Sequence, residues 1–196
     1  MSDTAAGRRM PVRIVVAGAV AGALLCTGTL WRTTGAMFGD TTTNSSSWSA
    51  GSVTVTDDDA GSALFDSTRD GVLTGGQTLT RCILVTYTGS VTSGTRIRLY
   101  ADASGTLAGQ LDLTVDEGTG GSSGDCSGFS PTTPGLYTGT LASFATAASS
   151  FASGVGSWEP SATPDSRTYR FTASVRNTVA ARNAVASGTF TWEARV

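Results

Sequence analysis

The chain has 196 residues, with 13 cationic side chains that are all arginine, 15 acidic ones and no histidine, for a net charge of −2. Without histidine there is no Ser–His–Asp or Cys–His arrangement and no histidine-ligated zinc motif, and without lysine no phosphate-cradling loop can close on Lys-Ser or Lys-Thr. A weakly acidic surface also lacks the basic stripe that nucleic acid requires. No cofactor is implied.

Residues 1–36 have the build of a secretory signal peptide: Arg8, Arg9 and Arg13, then the uncharged run Ile14–Trp31, then the small residues Thr33-Thr34-Gly35-Ala36. Cleavage is expected between Ala36 and Met37, with Thr34 and Ala36 in the small-residue pockets of a signal peptidase. The competing reading is a retained anchor, but the run lies at the short end of the roughly 17–25 residues needed to span a bilayer. Leu25 before Cys26 argues against lipoprotein processing, and Pro11 after Arg8-Arg9 against a twin-arginine start. Cleavage would take four arginines and one aspartate, leaving nine cations and fourteen anions, a net −5, on an exported chain with no membrane segment.

Residues 37–47 are a polar arm containing Phe38, Asp40 and the glycosylation-type triplet Asn44-Ser45-Ser46. From Trp48 onward, short β-branched and aromatic runs alternate with turn residues, which points to an all-β domain over 48–196. "WSAGSVTVT" (48–56) reads as a first strand with Val53 and Val55 on one face. Asp57, Asp58 and Asp59 follow it. Clustered carboxylates suggest calcium, yet the alternating carboxylates, central Gly and closing Glu of a calcium loop are missing, and a solvated acidic turn after the strand is the preferred reading.

"LTRCILVTYTG" (79–89) sets Ile83, Val85 and Tyr87 against Cys82 and Leu84, and a strand apolar on both faces should lie inside a sheet. "TRIRLYAD" (95–102) aligns Ile97, Leu99 and Ala101, and "GQLDLTVDEG" (109–118) aligns Leu111, Leu113 and Val115. Residues 117–135 read as a long Gly/Ser surface loop. Cys126 within it and Cys82 are the two cysteines left after cleavage, and an even pair in an exported protein reads first as a disulfide. "GTLASFATAASSFAS" (139–153) spaces Leu141, Phe144, Ala148 and Phe151 as one short amphipathic helix. "RTYRFTASVRN" (167–177) aligns Tyr169, Phe171, Ala173 and Val175. A turn or two of helix is expected over 177–187, with Asn177 as cap. "GTFTWEARV" (188–196) closes the chain with Phe190, Trp192 and Ala194 in register.

The start Phe38-Gly39-Asp40, the strand Gly51-Ser52-Val53-Thr54-Val55 behind Trp48, the stretch Leu73-Thr74-Gly75-Gly76-Gln77-Thr78-Leu79-Thr80 with Tyr87-Thr88-Gly89, and the closing strand resemble the TasA/camelysin family of exported bacterial matrix proteins. The likeness runs over residues 10–100 and the C-terminus. Gly75-Gly76-Gln77 stands where the family has Pro-Gly-Asp, and Thr88 where it has Asn. The resemblance implies a single jelly-roll-like antiparallel β-sandwich with one or two short helices, and a signal cut by a dedicated peptidase. It also implies a non-enzymatic role in extracellular or cell-surface fibres, in which the N-terminal strand of one subunit completes the sheet of the next. Partners would be further copies or other matrix proteins. Two alternatives stand beside it: a monomeric glycan-binding module using Trp48 or Trp158, and a camelysin-like metallopeptidase, for which no ligand set is visible.

Overall fold

The structure is a computed structural model that describes residues 51–196. The signal peptide, its Ala36–Met37 cleavage site, the arm with Phe38 and Asp40, and Trp48 lie outside the described residues.

Period-two alternation builds two antiparallel sheets. The first has five strands: β1 (Val55–Asp57), β2 (Thr78–Tyr87), β7 (Asp165–Val175), β4 (Leu111–Thr119) and β5 (Ser130–Thr140), hydrogen-bonded in the spatial order β1-β2-β7-β4-β5. The second has three, in the order β6-β3-β8: β6 (Val155–Trp158), β3 (Arg96–Ser104) and β8 (Ser187–Arg195). The core lies between them. Ile83, Val85 and Tyr87 from β2, Leu113 and Val115 from β4, and Tyr169 and Phe171 from β7 face Ile97, Leu99 and Ala101 from β3. All-β sandwich architecture therefore holds, and the inward set is the one the alternation marks.

Two helices complete it. The first, α1 (Ser67–Asp70), is a single turn capped by Asp66, whose carboxylate accepts from the Thr68 N–H. The second, α2 (Leu141–Ala147), starts at Thr140, whose hydroxyl accepts from the Ser143 N–H at 3.1 Å, and buries Phe144 in the core. Thr and Ser at such caps satisfy N–H groups that the helix leaves free. Short 3₁₀ turns occupy Thr106–Gln110 and Val179–Ala181.

Four expectations are corrected. Among the described residues the first strand begins at Val55; Val53 lies outside it and is 39% exposed, whereas Val55 packs on the core. The expected loop 117–135 shrinks to its middle, because β4 runs on to Thr119 and Ser130 onward pairs with β4 as β5. The helix expected over 139–153 stops at Ala147, where the Ser149 and Ser150 N–H groups turn to the Ser153 hydroxyl and form a local turn instead. The 3₁₀ turn near 180 is capped by Thr178 rather than Asn177. The strand β6, not anticipated, is four residues long, too short for a periodic signal.

Connectivity positions everything that follows. β1-β2-β7-β4 and β3-β8 are paired as strands A-B-E-D and C-F are in immunoglobulin-type sandwiches. β5, α2 and β6 are inserted between the D and E equivalents. In that scheme a strand G would lie on the outer side of β8. Among the described residues that place is not filled by any strand.

Candidate functional site: the sheet edges

An unpaired sheet edge is a row of free N–H and C=O groups, so each edge must be closed, shielded or used. β5 closes one end of the larger sheet with Pro131 and Pro134, which have no N–H to offer, and its register against β4 shifts twice. β6 is short, carries Gly156 at a φ of 75°, and shifts register against β3.

The β2 edge is closed piece by piece. β1 covers only Val85–Tyr87. At Leu84, Asp58 takes over as a strand substitute: its N–H donates to the Leu84 carbonyl at 3.1 Å, and its carboxylate accepts from the Leu84 N–H at 2.9 Å. The other Asp58 oxygen accepts from the Ser123 N–H at 2.7 Å. Next along, the Cys82 carbonyl accepts from the Gly124 N–H at 3.0 Å, and the Thr80 carbonyl from the Arg81 guanidinium at 2.9 Å.

Gly124 and Ser123 belong to the loop between β4 and β5, and the Cys82–Cys126 disulfide holds that loop here with a Cα–Cα distance of 5.2 Å. The expected disulfide is present. It carries the loop across the outer face of the sheet, from β4 past β7 to β2, and so buries Cys82 completely. At the root of the loop, the Phe129 ring lies 4.6 Å from the Arg170 guanidinium, which pairs with Asp116 at 2.8 Å.

The acidic run is thereby explained as architecture. The Asp57 carboxylate faces the Asp59 N–H, the Asp59 carboxylate accepts from the Gly61 N–H at 2.6 Å, and Asp58 holds the edge. Burial, and then the neighbouring Asp59, pushes the Asp57 carboxyl above its ordinary value. Among the described residues, no three His, Cys, Asp or Glu side chains converge as metal ligands do. Sequence reasoning missed Asp58 because its partners lie 26 and 65 residues away.

β8 is different. Over nine residues, about 30 Å of strand, its only ladder is to β3, and its outer side has no backbone partner among the described residues. It contains no proline and shows no register shift. Phe190, Trp192 and Ala194 point inward but remain only partly covered, whereas Ile97, Leu99 and Ala101 opposite them on β3 are buried. Phe190 and Trp192 pack on Phe171 and Tyr169 at ring distances of 4.6 and 5.3 Å. Beside the far end of β8 is an open depression of about 390 Å³, lined in part by Arg96, Phe151, Glu159 and Arg195. There the Arg195 guanidinium lies 4.6 Å from the Phe151 ring and bonds Glu193 at 2.7 Å.

Trp158, a candidate for a glycan platform, is a core residue at 4% exposure, so it offers no surface for sugar.

Among the described residues, fold and edges together define an all-β sandwich with three shielded edges and one open one. No family model, no curated protein and no solved structure matches the chain.

Proposed function

We propose that this chain is an exported, non-enzymatic structural protein of the extracellular matrix or cell surface. Copies join through sheet edges, the segment ahead of β1 in one copy lying along β8 of the next. The observation that supports this reading is the β8 edge, open among the described residues, beside three shielded ones. Strand addition of this kind draws affinity from main-chain hydrogen bonds and specificity from alternate side chains. An added strand would also cover Phe190 and Trp192, whose partial exposure is otherwise wasted apolar area. Because donor and acceptor are different surfaces, the contact is head-to-tail and does not close on itself, as a fibre requires. Partners are further copies of this chain or other matrix proteins, after a signal peptidase has released residues 1–36.

The test is electron microscopy of purified residues 37–196 and of the same protein lacking 37–47. Fibres are expected from the first and not from the second. Persistent monomer for both at high concentration in every condition would overturn the assembly reading.

A further inference from the structure

The disulfide loop does more than join two strands. Four glycines within it, Gly120, Gly121, Gly124 and Gly128, have φ between 73° and 78°, a region that costs glycine least, and each is free to leave it once untied. Two hydrogen bonds bring the loop to the β2 edge: the Gly124 N–H donates to the Cys82 carbonyl, and the Ser123 N–H to the Asp58 carboxylate that itself holds Leu84. A glycine-rich loop loses much chain entropy on ordering, and two such bonds at a solvated edge return little of it. Within the loop the Ser122 and Asp125 backbones bond each other, and the disulfide is the covalent link between this turn and β2.

We propose that Cys82–Cys126 is a redox latch on the β2 edge: oxidised, it holds the Gly124 N–H on the Cys82 carbonyl and the Ser123 N–H on Asp58; reduced, the loop lifts and the edge opens at Cys82. The reductant is a dithiol. Cys82 is fully buried and Cys126 only partly, so the dithiol's thiolate attacks the Cys126 sulfur. The S–S bond breaks, its electron pair leaves on the Cys82 sulfur, and that thiolate takes up a proton. The dithiol's second thiol, as thiolate, then displaces Cys126, which is protonated in turn. Two electrons and two protons have passed to the protein, and the dithiol has become a disulfide. Opening frees the Cys82 carbonyl and leaves Asp58 with its Leu84 contacts alone.

The consequence for assembly rests on the function proposed above: the latch, closed after export, leaves β8 as the one long open edge among the described residues and so fixes where copies join. The latch itself is tested without assembly, by amide hydrogen exchange on residues 37–196 in dilute solution, before and after reduction with dithiothreitol, with free thiols counted. On reduction the Ser123 and Gly124 amides are expected to exchange at least about tenfold faster, while those of Ile83, Val85 and Phe171 keep their protection. Unchanged protection at Ser123 and Gly124 with two thiols titrated overturns the latch. Equal loss across the core overturns it too, since the bond would then hold the whole fold and not one edge. Asp58→Ala in the oxidised protein separates the parts: Ser123 should speed up and Gly124 should stay protected by the tether, and loss at both would show that Asp58, not the disulfide, holds the loop.

Discussion

Thr168 has a buried hydroxyl with no hydrogen-bond partner among the described residues. It sits on the outer face of β7 between Leu84 of β2 and Gly118 of β4, at 0% exposure. Burying a hydroxyl without a partner costs on the order of 1–3 kcal/mol. Valine has the same shape, no such group, and a stronger preference for strands. Thr168→Val should therefore raise the free energy of unfolding by about 1–2 kcal/mol, read as a higher urea midpoint at constant m-value. Thr172, four residues on, belongs to the same outward face of β7. The sequence offers nothing to tell the two threonines apart, because the neighbours that flank Thr168, Leu84 and Gly118, lie 84 and 50 residues away. The same holds for Asp58: the acidic run was visible, and its use was not.

At the scale of elements, α1 is a single turn and could not persist alone. Asp70 fixes it. Its carboxylate, 3% exposed, is bonded by Arg69 at 3.1 Å, by the Asp66 N–H at 2.9 Å and by Arg81 of β2 at 2.5 Å. Hydrogen bonding from Arg69 outweighs burial and, with the Asp66 N–H and Arg81, holds the carboxyl far below the usual carboxylate range. A carboxyl depressed in the folded state stabilises fully above its unfolded value, about 3.9, and that contribution is lost as pH falls toward the folded value. Melting temperature should thus drop between about pH 4 and pH 2. In Asp70→Asn it should be lower near neutrality and fall less over the same window; parallel pH profiles for the two proteins would show that the pairs with Arg69 and Arg81 carry no stability. Strands were legible wherever period two was clean, as in β2, β3, β4, β7 and β8. β5 was not, since "SPTTPGLYTGT" has two prolines and no alternation. Those prolines were themselves a readable mark of an edge strand.

At the scale of the whole molecule, local pattern gives the sandwich and its inward faces, but strand order comes from pairings far apart in sequence, such as Arg96 with Arg195. Which edge stays open is a property of that order, so the candidate site could not be read from any one stretch. It can be tested by filling it. A two-residue Asn-Gly turn after Val196, itself 76% exposed, followed by a second copy of residues 48–56, would fold back on β8 as a hairpin. The added strand then occupies the vacant G position within one chain, at an effective concentration that no second molecule matches. Its backbone bonds and the cover it lends Phe190 and Trp192 should raise the melting temperature, by about 2–4 °C for each kcal/mol gained. The same occupancy should abolish fibres in electron micrographs while the protein stays monomeric. A hairpin variant that melts higher yet still forms fibres would place the contact between copies away from β8, because the edge would be filled and assembly indifferent to it.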